Sequence, residues 1–178
     1  MKYLRQILFL VFIHQAAFSQ ILKPVKWSFA ANKLDEKNYV LVFDATMDHG
    51  WHVYSQFLPD GDGPIPTSFH FEESKEFKLA GKVEEGKAIS QFDASFEKVL
   101  NFFEEAASFK QNVEILSGDP FSIKGYFEFM VCDNEKCLPP EEVPFEFRVS
   151  AGKIVSVSPE QEIPPPVADT TGSSMQQD

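Results

Sequence analysis

The chain has 178 residues, of which 43% are hydrophobic, and its 27 acidic and 16 basic side chains leave a formal net charge of −11. This length suits about one domain with a real core, and the negative charge argues against binding to nucleic acid or to anionic lipid surfaces. Phenylalanine is abundant at 19 residues, whereas the 2 cysteines exclude a small domain held together by many disulfides. The composition therefore raises the question of what this one cysteine pair does.

The first residues have the pattern of a secretory signal peptide. Lys2 and Arg5 precede an unbroken apolar run, Ile7–Ile13, and small residues follow at Ala17 and Ser19. The run is too short to cross a bilayer, which takes about 20 apolar residues. We therefore predict cleavage after Ser19 and export to an oxidising compartment outside the cytoplasm. An uncleaved N-terminal anchor is the alternative.

The C-terminal segment differs in composition from the middle of the chain. Residues 159–178 contain four prolines and no aromatic residue, so they cannot bury enough apolar surface to offset the entropy of ordering. We predict a signal peptide at residues 1–19, one folded domain at 20–158 and a disordered tail or linker at 159–178. No segment after the leader approaches the length of a membrane span, so the mature protein is expected to be soluble.

Alternation of apolar and polar residues, rich in β-branched and aromatic side chains, runs through the middle of the chain. Val25, Trp27 and Phe29 alternate with polar neighbours, and Tyr39–Thr46 is a denser run typical of a central strand. Pro59–Pro64 indicates a loop, because it consists of Pro, Gly and Asp. The predicted strands are 25–29, 39–46, 51–56, 67–72, 76–83, 108–116, 121–131 and 143–149. Short strands separated by turn signals predict an all-β fold, a two-sheet β-sandwich.

One stretch of the chain allows two interpretations. Phe92, Phe96, Val99, Leu100 and Phe103 recur at the spacing of one helical face, so periodicity alone favours a helix. The same residues also fit a loop that is followed by a strand. The two interpretations differ in whether these side chains share a single face.

The two cysteines lie close together near the end of the predicted domain. Cys132 ends a strand-like run, four residues separate it from Cys137, and Pro139–Pro140 stops regular structure directly afterwards. In an exported domain a stabilising disulfide is the default interpretation. A ring of about six residues, however, contributes only about 2 kcal/mol in the chain-entropy model, against about 4.7 kcal/mol for a loop of about 100 residues. So short a ring also suits thiol–disulfide exchange, since it can open and close with little change elsewhere.

A metal site is a further possibility that the cysteines raise. His49, His52 and His70 could supply more ligands, but none lies at metal-ligand spacing to another ligand or to a cysteine. We therefore expect no metal site, and we interpret the histidines as strand and turn residues. Direct thiol–disulfide exchange needs no organic cofactor either.

The segment around the cysteines resembles a known family. Phe129–Cys132 followed by Cys137–Glu141 is similar to the active-site hairpin of the N-terminal periplasmic domain of DsbD, the thiol:disulfide interchange protein. The upstream segment Asp48–Tyr54 resembles the strand that precedes that hairpin, and the likeness covers most of Ile21–Val149. The second cysteine with its two prolines is the most specific part of the match.

The resemblance implies an immunoglobulin-like β-sandwich and a cysteine pair that cycles between dithiol and disulfide in the periplasm. Cys137 would form the mixed disulfide with a partner, and Cys132 would resolve it. The implied partners are thioredoxin-like periplasmic proteins, among them disulfide isomerases and proteins of cytochrome c maturation. A thioredoxin-like donor, fed by a membrane electron carrier, would reduce the pair again. The resemblance thus implies that the chain is a protein-disulfide reductase.

The family also shields its cysteines with a cap loop, in which an aromatic side chain covers the disulfide. By position this cap falls within Gln91–Val99, with Phe96 as the first choice for the covering residue and Phe92 as the second. The resemblance therefore favours a loop and then a strand from about Val99, rather than a helix. Both phenylalanines are alternatively ordinary core residues.

Three further residues match positions that flank the active site in the family. His52 and Tyr54 lie in the predicted strand before the hairpin, and Asp93 matches an acidic residue of the cap. The family has an aromatic hydroxyl where this chain has His52. The alternative is that all three are ordinary strand or loop residues.

The chain departs from the family pattern in two ways. Its cysteine spacing is one residue shorter than in the best-known members, and the membrane domain and C-terminal thioredoxin-like domain of the full architecture are absent. A separate membrane protein would then have to supply electrons in trans, unless the chain is a fragment of a longer protein. The competing interpretation is a non-enzymatic extracellular β-sandwich that binds a protein partner and keeps a structural disulfide.

Overall fold

The computed structural model describes residues 22–93 and 95–157, and these form antiparallel β-strands without any helix. The strands are β1 Val25–Lys33, β2 Asn38–Met47, β3 His52–Tyr54, β4 Ser68–Phe71, β5 Phe77–Glu85, β6 Ile89–Asp93, β7 Lys98–Glu104, β8 Ala106–Ile115, β9 Phe121–Phe129, β10 Val131–Cys132, β11 Glu141–Ser150 and β12 Lys153–Val157. The leader at 1–19 and the tail at 159–178 lie outside the described residues. They stay predictions, as do the domain boundaries.

The described strands form three four-stranded sheets, with the orders β1-β2-β8-β5, β12-β11-β9-β4 and β10-β3-β7-β6. The first two pack face to face through phenylalanine rings. The ring of Phe43 on β2 lies 5.0 Å from that of Phe69 on β4 and 4.9 Å from that of Phe145 on β11, between centroids. The predicted immunoglobulin-like β-sandwich is confirmed, and its main core accounts for much of the phenylalanine excess.

Alternating burial explains why these sequences form strands. The buried residues of β8 are Ala107, Phe109, Gln111 and Val113, and those of β11 are Phe145, Phe147 and Val149. Successive side chains of a strand point to opposite faces, so a strand with one face on the core buries every second residue. The strands predicted in these two segments are therefore confirmed.

The helix that periodicity favours between Phe92 and Phe103 is wrong. The segment is a β-hairpin, in which β6 pairs with β7 and Phe92 lies opposite Val99. Its apolar residues go to three different places: Leu100 joins a small cluster beside the cysteines, Phe103 joins the main core, and Phe92 is 60% exposed. A helix would have put them on one face, whereas the hairpin distributes them between two clusters and solvent.

The interpretation as a loop followed by a strand is right in part. β7 begins at Lys98, next to the predicted start at Val99, but residues 91–93 of the predicted loop are paired in β6. The remaining loop is a tight turn after Asp93, in which Glu97 has a φ of 53°. The predicted cap is thus the tip of a hairpin.

The predicted strand at 121–131 divides at Met130. The first part, β9, pairs with β11 and β4, whereas Val131 and Cys132 form β10, which pairs with β3 in the third sheet. The chain passes from one sheet to another just before the first cysteine. This crossing places the cysteines at the edge of the third sheet.

Candidate functional site

Cys132 and Cys137 form a disulfide across a hairpin at the edge of the third sheet. On one side of the pair Leu138 N donates to Val131 O at 2.9 Å, and on the other side a second backbone hydrogen bond of 2.9 Å closes the turn. The cysteines therefore occupy a non-hydrogen-bonded pair, where antiparallel strands approach most closely. Their Cα atoms are 4.0 Å apart. The hairpin backbone by itself brings the two sulfurs together.

Asp133 holds the turn between the cysteines. Its Oδ1 accepts hydrogen bonds from the backbone N–H groups of Glu135 and Lys136, both at 2.8 Å. These two bonds, that from Glu135 foremost, hold the pKa of the Asp133 carboxyl below its usual range. Lys136 extends its Nζ over the ring of Trp51, 5.8 Å from the centroid. This cation–π contact ties the turn to the residue that precedes β3.

The third sheet has two different faces beside the cysteines. Val53 and Val131, which pair across β3 and β10, belong to the main core. The opposite face carries the disulfide cluster, whose buried members are Tyr54, Leu100, Phe102 and Cys132 and whose partly buried members are Leu58, Phe96, Met130 and Cys137. Because successive strand residues alternate between faces, Cys132 points away from the main core while Val131 points into it.

The turn between β6 and β7 carries an aromatic residue over this cluster. Phe96 packs against the disulfide cluster, and its ring lies 6.0 Å from that of Tyr54 in an edge-to-face arrangement. Phe92, the second choice for a covering residue, is 60% exposed and is not one of the described members of the cluster. Of the two phenylalanines, Phe96 is the one that the structure brings to the disulfide cluster.

A chain of hydrogen bonds connects β3 to that turn. The Tyr54 hydroxyl donates to Asp93 Oδ2 at 2.6 Å, and His52 Nε2 lies 3.1 Å from the same hydroxyl. Asp93 Oδ1 accepts hydrogen bonds from the backbone N–H groups of Ser95 at 2.8 Å and Phe96 at 3.3 Å. The Asp93 carboxylate thus ties the backbone that positions Phe96 to β3.

His52 is buried at the centre of this arrangement. It lies opposite Cys132 on β10 and opposite Glu104 on β7, and its ring is 4.6 Å from that of Phe102. Burial lowers the pKa of its imidazole, against the opposing attraction of nearby carboxylates. Burial, together with the hydrogen bond that it donates, raises the pKa of the Tyr54 hydroxyl well above its usual value. Tyr54 therefore keeps its proton as a hydrogen-bond donor.

The three histidines that could serve as metal ligands lie in three different elements. His70 is on β4 in another sheet, where its ring stacks on Tyr126 at 4.6 Å, and His49 is in the turn before β3. Within the described part of the chain, no three His, Cys, Asp or Glu side chains are grouped as the ligands of one metal ion would be. His52 contacts Tyr54 and Asp93 instead.

Sequence reasoning did not find every residue that builds the site. Leu100, Phe102 and Met130 belong to the disulfide cluster, but in the sequence they resemble ordinary core residues. Asp93, in contrast, was predicted as an acidic residue of the cap, and its side chain bonds the backbone N–H two residues on, at Ser95, as in an Asx turn.

Fold and site together define a class of protein, an immunoglobulin-like β-sandwich that presents a cysteine pair on an edge hairpin. The sequence matches, over residues 19–148, the family described as thiol:disulfide interchange protein DsbD, N-terminal, and the chain belongs to this family. Membership implies thiol–disulfide oxidoreductase chemistry, interaction with thioredoxin-like proteins and a periplasmic setting.

Two solved structures are similar to this chain at low sequence identity. The N-terminal domain of DsbD from Neisseria meningitidis, in the reduced form, is 16% identical with a TM-score of 0.49, over 76% of this chain and 94% of that one. The N-terminal periplasmic domain of ScsB from Proteus mirabilis is 12% identical with a TM-score of 0.50, over 70% of this chain and 47% of that one. The second likeness supports the fold alone.

Two further findings are absences. No curated protein matches the sequence. In residues 22–93 and 95–157, no helix is long and apolar enough to cross a membrane.

Proposed function

We propose that this chain is a periplasmic protein-disulfide reductase, which passes electrons from a thioredoxin-like donor to disulfide-containing proteins through Cys132 and Cys137. The placement of the pair supports this proposal best. The disulfide joins two facing positions of an edge hairpin, with Cys132 buried in the disulfide cluster and Cys137 at its margin. Neither cysteine belongs to the main core, so the bond can open without disturbing the sandwich.

The order of the two cysteines follows from their exposure. Cys132 is 0% exposed, whereas Cys137 is only partly buried, so a partner meets Cys137 first. The Cys137 thiolate attacks one sulfur of the partner's disulfide, which forms a mixed disulfide and releases the partner's other sulfur as a thiolate. The Cys132 thiolate then attacks the Cys137 sulfur and releases the second partner thiolate. The partner gains two electrons, and this chain becomes the disulfide.

The turn between β6 and β7 would control access to this chemistry. We assign the cover over the disulfide to Phe96, because it packs against the disulfide cluster while Phe92 is largely exposed. Asp93 and Tyr54 hold the turn in place through their 2.6 Å hydrogen bond. The cover slows oxidation and reduction by small molecules until a partner displaces it.

The donor and the recipients are assigned from the family resemblance. We propose that a membrane-linked, thioredoxin-like protein supplies the electrons in trans and that the recipients act in disulfide isomerisation and cytochrome c maturation. A donor dithiol reduces Cys132–Cys137 by the reverse of the steps above, with no metal or organic cofactor. The predicted leader at residues 1–19 would deliver the chain to the periplasm.

Trapping of the mixed disulfide tests the exchange role. A Cys132→Ala variant keeps the accessible sulfur and cannot resolve an adduct, so it should capture an oxidised thioredoxin-like protein in a complex that dithiothreitol releases. Cys137→Ala is the matched control and should capture far less, because its remaining sulfur is buried. Absence of an adduct with Cys132→Ala, or equal capture by both variants, would contradict the assignment.

A structural disulfide in a protein-binding module is the second candidate, and the complete burial of Cys132 favours it. The reduction potential discriminates between the two. Structural disulfides have potentials below about −300 mV, whereas exchanging pairs have distinctly higher ones. Equilibration with redox buffers of known potential measures this value. A result below that limit would replace exchange by a binding role.

A further inference from the structure

His52 ends the hydrogen-bond chain that holds the turn over the cysteines. Tyr54 has one hydroxyl proton and gives it to Asp93, so the hydroxyl accepts a hydrogen bond from His52 Nε2. The neutral imidazole must therefore carry its proton on Nε2. A second proton enters at Nδ1 and makes the ring a cation.

Titratable groups from three neighbouring segments and its own strand face His52. They are Tyr54 on β3, Asp93 on β6, Glu104 on β7 and Asp133 in the cysteine hairpin. Asp93 Oδ2 is 3.6 Å from His52 Nε2, but this carboxylate already accepts hydrogen bonds from a hydroxyl and two backbone N–H groups. Glu104 and Asp133 act from longer range. A cationic ring therefore gains attraction but no new hydrogen-bond acceptor.

Burial opposes the charge more strongly than these carboxylates favour it. His52 is 7% exposed, its ring packs on Phe102, and only a small pocket of about 90 Å³ opens beside it. Loss of hydration by an ion is costly when its partners are imperfectly placed, and burial accordingly holds the pKa of His52 below its ordinary value. The closed site thus binds the proton more weakly than a site in which the ring is hydrated. By linkage, protonation favours the open site.

We propose that His52 is a positioning residue that makes the cover over the disulfide sensitive to pH. When the imidazole takes up a proton, the cost of keeping the cation buried favours a hydrated ring, which leaves its contact with Tyr54, and the turn that carries Phe96 moves away from the sulfurs. This proposal rests on the proposed function, to which it adds acid-dependent access to the Cys132–Cys137 bond. It requires no contact between His52 and a partner.

Reduction by a water-soluble phosphine measures this access directly. The phosphine supplies two electrons to the S–S bond, water gives its oxygen to phosphorus, and both sulfurs end as thiols. We compare the wild-type protein with His52→Gln between about pH 7.5 and about pH 5. Protonation of the phosphine slows both reactions equally, so its effect cancels in the ratio of the wild-type rate to the variant rate. We expect this ratio to rise by at least about threefold on acidification.

His70→Gln is the matched control, because His70 is an exposed strand histidine that stacks on Tyr126 in a different sheet. Its reduction rate should follow the wild-type rate at every pH. A ratio for His52→Gln that stays level, or falls, as the pH decreases would overturn the proposal. So would a pH-dependent ratio of the same size for His70→Gln.

Hydrogen exchange in the unaltered protein provides a readout that needs no variant. The backbone N–H groups of Ser95 and Phe96 bond to Asp93, so their protection should fall by about threefold at the acidic end after correction for intrinsic exchange. The N–H of Ile115, which donates to Lys37 O at 2.8 Å, is the control and should keep its protection. Unchanged protection at Ser95 and Phe96 would contradict the proposed loosening.

These measurements test the role of His52, whereas the trapping experiment tests the exchange function, and either proposal can be rejected without the other. A phosphine reduces any accessible disulfide, so a pH-dependent rate ratio without a trapped adduct would reject the exchange function and keep the role of His52. A trapped adduct with a level rate ratio would keep the exchange function and reject the role of His52.

Discussion

The Tyr54 hydroxyl donates a hydrogen bond of 2.6 Å to Asp93 Oδ2, and the two residues are 39 positions apart in the chain. Tyr54 is fully buried on β3, and Asp93 ends β6 where the turn to β7 begins. The other carboxylate oxygen of Asp93 caps the N–H groups of that turn. This one hydrogen bond therefore joins the strand beside the disulfide to the turn that carries Phe96.

Loss of this hydrogen bond should weaken both the fold and the cover. Tyr54→Phe leaves the buried Asp93 carboxylate without one of its donors, which should lower the free energy of unfolding by about 1–3 kcal/mol. Phosphine reduction of the disulfide should become several times faster. Tyr126→Phe is the control, since Tyr126 is 38% exposed, and it should change stability by less than about 0.5 kcal/mol. Urea unfolding and reduction kinetics measure the two effects.

The two candidate covering residues can be separated by truncation. Phe96→Ala removes a ring that packs on the disulfide cluster, so the disulfide should be reduced several times faster by a phosphine. Phe92→Ala removes a ring that is 60% exposed and should leave the rate close to that of the wild type. Faster reduction of Phe92→Ala alone would transfer the covering role to Phe92.

The stability of the oxidised protein should depend on pH through His52. The pKa of its imidazole is lowered by burial from the ordinary 6.5, so below about pH 6.5 the unfolded chain binds this proton before the folded protein does. The free energy of unfolding should therefore fall as the pH decreases from about 6.5 to about 5. Asp133 and Glu146, whose pKa values are lowered by hydrogen bonds, lose their contributions only at more acidic pH.

Urea titrations at several pH values measure this dependence. His52→Gln should flatten the curve between about pH 6.5 and about pH 5, whereas His70→Gln should keep the wild-type slope. Stability that rises on acidification in this range would mean that the attraction to Asp93 outweighs the burial of His52.

Gly125 should be intolerant of any side chain. A Cβ atom at this position would lie 2.6 Å from the Phe145 ring and closer still to the His70 carbonyl oxygen, where β9 passes between β4 and β11. Gly125→Ala should therefore lower the free energy of unfolding by at least about 2 kcal/mol, because strand pairing or a core ring must shift. Gly118→Ala, with no atom within 4 Å, is the control and should be nearly neutral in thermal or urea unfolding.

Periodicity in the sequence was sufficient for strands that bury one face on the main core. In β11 the buried alternate residues are all apolar, and in β8 they are apolar except for Gln111. The same argument failed between Phe92 and Phe103, because a hairpin with side chains in two clusters and in solvent can imitate the spacing of a helix. The local pattern contains no information about which strand pairs with which.

The sequence by itself determined the sandwich and the closeness of the cysteines, since alternation and a four-residue separation are local properties of the chain. Only the tertiary structure decided that Cys132 is buried while Cys137 lies at the margin, and that Phe96, not Phe92, packs against their cluster. It also brought His52, Tyr54 and Asp93 together. These relationships depend on strand register and on which face each strand presents, and a shift of one residue would move every side chain to the other face.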